Sequence, residues 1–139
     1  MVDLQSQYDR IKDEINKSVI GVMQDATFIN GPTVKSFQNN LEAYLNVKHV
    51  IPCANGTDAL QIAMMALDLK PGDEVITTNF TFAATVEVIA LLNLKPVLVD
   101  VDLNTFNIDV DKLEKVITSK TKAVMCLHIL GTCGNFNQI

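Results

Sequence analysis

Residues 71–101 read PGDEVITTNFTFAATVEVIALLNLKPVLVDV, and this stretch decides the fold. Pro71-Gly72-Asp73 is turn chemistry. Glu74 to Thr77 then predicts a short strand, Phe82 to Leu92 a helix rich in Ala, Val, Ile and Leu, and Pro96 to Val101 a second strand. Val97-Leu98-Val99 is apolar without alternation, the pattern of a strand buried on both faces. Strand, helix and strand joined by short turns make a βαβ crossover with parallel strands.

The same alternation extends outward. Upstream, Val47 to Cys53 predicts a strand, and Thr57 to Leu67 a helix with Leu60, Ala63, Met64 and Leu67 on one face. Downstream, Val110 to Ile117 predicts a helix capped by Asp109, and Thr121 to Leu130 a further strand. The expected class is α/β, a mostly parallel sheet with covering helices. Two amphipathic helices precede it. Leu4, Tyr8, Ile11, Ile15, Val19 and Val22 recur at steps of three and four, and that helix ends near Asp25. Phe28-Ile29-Asn30-Gly31-Pro32 is a loop, Pro32 opens the second helix, and Val34, Phe37, Leu41 and Tyr44 or Leu45 line its apolar face up to about Asn46. The organisation predicted is a helical segment over 1–46 and a partial α/β sheet over 47–139. A last strand with no helix after it predicts the N-terminal part of a longer chain; the alternative is a small four-stranded domain complete in itself.

Composition narrows the function. The chain has 139 residues, 48% hydrophobic and 19% charged, ample for a core and contrary to disorder. A net charge of −5 without a basic run argues against nucleic acid or an anionic membrane surface as partner. Asp3, Asp9, Asp13 and Glu14 stand where a signal peptide is basic and then apolar, and the longest apolar stretch, Ala83 to Leu94, is interrupted by Thr85, Glu87 and Asn93. Cys53, Cys126 and Cys133 are odd in number with no Cys-x-x-Cys pair, which fits a reducing cytoplasm.

Two segments carry chemistry. Pro52-Cys53-Ala54-Asn55-Gly56-Thr57-Asp58 joins a predicted strand end to a helix start. The first N–H groups of a helix lack internal partners and sit at the positive end of its dipole, Gly56 admits close approach, and Thr57 adds a hydroxyl: together, a phosphate cradle. An ordinary capped turn is the plainer reading. Asn79-Phe80-Thr81-Phe82 follows the next strand and offers a ring for stacking on a flat cofactor, against the plainer reading of Phe80 and Phe82 as core. His49 and His128 are far apart, and no cluster has metal-ligand spacing. Asp100 and Asp102 read as solvated loop carboxylates, and Glu42, Glu87 and Glu114 as exposed helix faces.

These segments, with Val2-Asp3-Leu4-Gln5, Phe28-Ile29-Asn30-Gly31-Pro32, Ala54 to Leu60, Pro71 to Ile76, Phe80 to Thr85, Pro96 to Asp102 and Thr121 to Val124, resemble in order and spacing the N-terminal part of the DegT/DnrJ/EryC1/StrS family. These are pyridoxal-phosphate sugar aminotransferases of fold type I. The resemblance covers nearly all of this chain and roughly the first third of a family member. It implies that Gly56, Thr57 and the Asp58 amide hold the phosphate of pyridoxal 5'-phosphate, that Phe82 stacks on its ring, and that Asn30, Gly31 and Pro32 lie toward the nucleotide sugar. It also implies a homodimer that moves an amino group from glutamate to a keto nucleotide-sugar, for polysaccharide or glycan synthesis. The family's Schiff-base lysine and its pyridine-pairing Asp fall beyond residue 139, so residues 1–139 by themselves are expected not to transaminate. Leu130 and Thr132 flank Gly131 where the family has an aromatic and a Gln, and Thr33 stands where an acid is common. The alternatives are a sugar dehydratase of the same family, with a His in place of the lysine, or a non-catalytic binding module.

Overall fold

A computed structural model describes residues 2–139. The described chain divides into two compact units, one up to Pro52 and one from Cys53 to Ile139.

In the first unit, helix α1 spans Leu4–Asp25 and α2 spans Pro32–Leu45. Asp3 caps α1, its carboxylate accepting the Ser6 N–H at 3.0 Å. Asn46 ends α2 in the left-handed conformation that Asn tolerates well. Gly31 precedes α2 and is buried. A side chain there would collide with the Thr27 carbonyl oxygen, so the turn between the helices requires glycine for space. Both helices fall where periodicity puts them, yet neither buries a residue. Glu42 departs from expectation: it is half-buried and accepts the Val50 N–H at 3.0 Å, closing the chain that leaves α2 back onto the helix.

In the second unit the order is α3 (Gly56–Ala66), β1 (Glu74–Thr78), α4 (Ala83–Leu91), β2 (Lys95–Val99), α5 (Val110–Val116) and β3 (Thr121–Met125). The three strands form one parallel sheet in the order β2-β1-β3. All five residues of β1 are buried. Successive side chains of a strand point to opposite faces, and here they seed two cores. Val75 joins Met64 of α3, Ile89 of α4 and Leu94 on one side; Ile76 joins Val99, Ile108 and Leu113 of α5 on the other.

Three expectations are corrected. Val47–Cys53 is not a strand: it joins no ladder, and the Val50 N–H goes instead to the Glu42 carboxylate. The last strand stops at Met125 rather than Leu130: its pairing with β1 ends at Thr77 opposite Met125, whose carbonyl accepts the Thr77 hydroxyl at 2.9 Å. Strand β2 is not buried on both faces; it is an edge of the described sheet, and Leu98 is 53% exposed.

Glu74 starts the central strand and is buried with its charge compensated. One carboxylate oxygen pairs with the Lys95 ammonium at 2.9 Å and the other accepts the Thr118 hydroxyl at 2.6 Å. The Thr118 hydrogen bond first, then Lys95, holds its pKa below the ordinary glutamate value. A depressed carboxylate pKa stabilises the fold above the unfolded-state value, about pH 4.3, and that contribution is lost as pH falls through the folded-state value. Glu74→Gln is therefore expected to lower Tm at neutral pH and to flatten its fall below about pH 4.5 in a thermal melt series; an unchanged acid limb would mean other carboxylates set it.

Candidate functional site

The turn that opens α3 is built by Asn55. Its side-chain oxygen accepts the Asp58 N–H at 2.9 Å, and its amide donates to the Asp58 carboxylate at 3.1 Å. This reciprocal cap fixes the first turn of the helix. The Asp58 N–H is thereby occupied, and the first main-chain bond goes from Ala59 N–H to the Asn55 carbonyl at 3.1 Å. The N–H groups of Gly56 and Thr57, and the Thr57 hydroxyl, have no partner among the described residues. A side chain on Gly56 would meet only open space. The arrangement is a concentration of unspent donors at a helix's positive end, open to a ligand and suited to an anion.

Helix α3 reaches β1 through the short connection Leu67–Asp73, so its N-terminus lies toward the far, carboxyl end of that strand. The same edge carries Asn79 to Phe82, which leads into α4. Phe82 is the N-cap of α4 in extended backbone and is 74% exposed. Phe80 is 46% exposed, so neither ring is core. In open parallel sheets ligands bind at this edge. The structure thus places Gly56, Thr57, Asp58 and Phe82 in one unit, while Asn30, Gly31 and Pro32 belong to the other. Asn30 has φ +50° and Gly31 is fixed by its contact with Thr27.

The rest of the edge is structural. Asp100 pairs with Lys112 at 3.2 Å, and the Val101 N–H above all, then Lys112, holds its pKa below the usual range. Asp102 is half-buried and ties a turn, accepting the Asn104 N–H at 3.0 Å, the Thr105 N–H at 2.9 Å and the Thr105 hydroxyl at 3.0 Å. His128 packs just past β3, edge-on to Phe136 at 5.5 Å. Among the described residues no group of His, Cys, Asp and Glu is placed to hold a metal, the three cysteines are unpaired, and no helix is long and apolar enough to cross a membrane.

Two contributors were not singled out by sequence reasoning. The cap role of Asn55 was legible, because Asn before Gly-Thr-Asp at a helix start is a capping signal. Phe106 was not. Its ring lies 5.7 Å from that of Phe80, and its φ of +58° is a conformation that bulky residues avoid, at a cost of about 1–2 kcal/mol. Nothing local in Thr105-Phe106-Asn107 announces that conformation.

The family model for DegT/DnrJ/EryC1/StrS aminotransferases matches residues 9–139. The chain belongs to this family. It is 46% identical to the UDP-2-acetamido-2-deoxy-3-oxo-D-glucuronate aminotransferase of Pseudomonas aeruginosa, over 99% of this chain and 38% of that protein. It superposes on a DegT/DnrJ/EryC1/StrS aminotransferase from Brucella abortus with a TM-score of 0.93 at 40% identity, covering 99% of this chain and 39% of that one. NtdA of Bacillus subtilis, solved with the cofactor PMP, gives a TM-score of 0.86 at 35% identity over 94% of this chain and 30% of that one. The E. coli GDP-4-keto-6-deoxy-D-mannose-3-dehydratase, solved with hydrated PLP, gives 0.82 at 28% identity over 88% of this chain and 33% of that one. The chain thus spans between 30% and 39% of these relatives' length, and its α/β architecture is that of fold type I family members.

Proposed function

We propose that residues 1–139 form the phosphate-holding part of a pyridoxal-phosphate-dependent aminotransferase that moves an amino group from glutamate to a keto nucleotide-sugar. The observation that supports this most is the set of unpartnered donors at the start of α3, Gly56 N–H, Thr57 N–H and the Thr57 hydroxyl, beneath open space. That set fits a phosphate, and the exposed ring of Phe82 fits the flat face of a pyridine. When bound, pyridoxal phosphate supplies the electron sink that lets an amino group be exchanged at a carbonyl carbon. The residues of this chain bind and orient. The two N–H groups and the hydroxyl anchor the phosphate, and Phe82 covers one ring face against water. The Asp58 amide joins the cradle only where the Asn55 side chain releases it; otherwise Asn55 keeps the turn in shape.

Asn30, Gly31 and Pro32 are assigned to the nucleotide-sugar side. Residues 1–46 are a helical N-terminal segment and 47–139 a partial α/β sheet of the cofactor-binding domain. The family resemblance supports placing the full-length protein in the cytoplasm as a homodimer that supplies precursors for polysaccharide or glycan. The likeness to the E. coli dehydratase favours a second reading, loss of a hydroxyl from the sugar with the same cofactor.

Thr57→Ala in the full-length protein is expected to weaken pyridoxal phosphate binding by about 1–3 kcal/mol, the worth of a hydrogen bond to a charged group. Absorbance titration of the apoprotein reads this, and an unchanged affinity removes Thr57 from the site. The reaction is read by mass analysis of a keto nucleotide-sugar incubated with the loaded protein and glutamate. An amino sugar supports the first reading, a deoxy sugar the second, and cofactor binding without either product a binding module.

A further inference from the structure

We propose that Phe106 is a positioning residue for the cofactor edge: its ring buttresses Phe80 and so fixes the segment that presents Phe82. This rests on the placing of Phe82 against the cofactor ring proposed above.

The segment Asn79–Phe82 is held at both ends: where α4 begins, the Thr81 hydroxyl donates to the Thr85 hydroxyl at 2.8 Å and the Phe82 carbonyl accepts the Thr85 N–H at 3.1 Å. At the strand end, the Asn79 N–H donates to the Val99 carbonyl at 2.9 Å and the Thr78 hydroxyl donates to the Phe80 carbonyl at 3.2 Å. These bonds hold the backbone and the Thr81 hydroxyl and leave both phenylalanine rings exposed. The turn after β2 is closed by its own hydrogen bonds. Asp102 accepts three hydrogen bonds from Asn104 and Thr105, the Phe106 N–H donates to the Asp102 carbonyl at 2.8 Å, and the Asp102 N–H returns to the Asn107 carbonyl at 2.9 Å. The bridge between Val101 and Ile108 closes it, and Asn107 and Ile108 are buried. Phe106 sits at the strained position of this turn, with φ +58°.

Glycine or asparagine fills such a position at little cost, and phenylalanine is a poor choice for the backbone. What the ring adds is the contact with Phe80, at 5.7 Å between centroids and 46° between planes. That geometry lies within the range of attractive tilted aromatic pairs. The ring of Phe106 therefore braces that of Phe80, two residues before Phe82, where the backbone bonds hold neither ring.

The test is Phe106→Asn in the full-length protein, which keeps a residue tolerant of positive φ and removes the ring. Phe106→Tyr restores the ring, and Phe80→Leu removes its partner. Three quantities are read: Kd for pyridoxal phosphate, the visible circular dichroism of the bound cofactor, and Tm of the apoprotein. Phe106→Asn is expected to raise Kd about threefold to tenfold, the worth of an aromatic pair, and to change the cofactor dichroism. Phe106→Tyr is expected to bind as the parent does, and adding Phe80→Leu to Phe106→Asn to cost nothing more. A fall in apoprotein Tm with Kd and dichroism unchanged would make Phe106 structural only and overturn the proposal. If Phe106→Asn proves insoluble, Phe80→Leu makes the same prediction by itself, and unchanged binding there overturns it equally. Phe82→Ala in the same titration separates the two ideas. If it leaves Kd unchanged, the cofactor reading of Phe82 fails; if it weakens binding while Phe106→Asn and Phe80→Leu do not, only the present proposal fails.

Discussion

Gly56→Asp in the full-length protein is expected to abolish retention of pyridoxal phosphate while leaving the fold intact. The backbone at Gly56 is ordinary and a new side chain meets nothing, so no clash arises. A carboxylate in the first turn of α3 is even favourable to the helix. The same carboxylate occupies the space above the free N–H groups and satisfies them itself. Against a phosphate it sets like charges side by side, at several kcal/mol, or about two to three powers of ten in Kd. Apoprotein Tm should stay within a degree or two of the parent. Loss of the fold would contradict the open space seen at Gly56, and an intact Kd would move the phosphate elsewhere.

Ile76→Ala is expected to act in the opposite way, on the fold rather than on the ligand. Ile76 is fully buried in the middle of the central strand, against Val99, Ile108 and Leu113. Removing its outer carbons forfeits their burial and leaves a cavity in a sheet that can collapse only by shifting β1. The expected cost is about 2–5 kcal/mol, measured by denaturant unfolding of the apoprotein. A loss under about 1 kcal/mol would mean that the α5 side of the sheet relaxes around the gap.

How far the sequence spoke can be argued from particular residues. The βαβ reading of 71–101 held because turn residues, apolar runs and length all agree there: Pro71-Gly72-Asp73 turns, and β1, α4 and β2 fall within a residue or two of their expected places. The same rules misjudged 47–53 and 126–130. Those residues are apolar enough for strands, but a strand exists only through a neighbour, and sequence alone does not show which neighbour is there. Leu98 misled for the same reason, since edge or centre is a property of the sheet's order. At the candidate site, Gly56 and Thr57 were legible because a helix start advertises its free N–H groups. That the Asp58 amide is already taken by Asn55 follows from the same capping signal, whereas the contact of Phe106 with Phe80 depends on side-chain geometry that no spacing records.

The donors at the start of α3 belong mostly to the main chain, and that has a consequence for how such a protein can change over generations. A grip made of peptide groups survives the exchange of almost any neighbouring side chain; it is lost when something fills it or when the helix start moves. On the function proposed above, residues around it are free to drift toward new sugars, or even a new outcome for the same cofactor, without surrendering the hold on it. Backbone likeness to both an aminotransferase and a dehydratase is what such inheritance would leave behind.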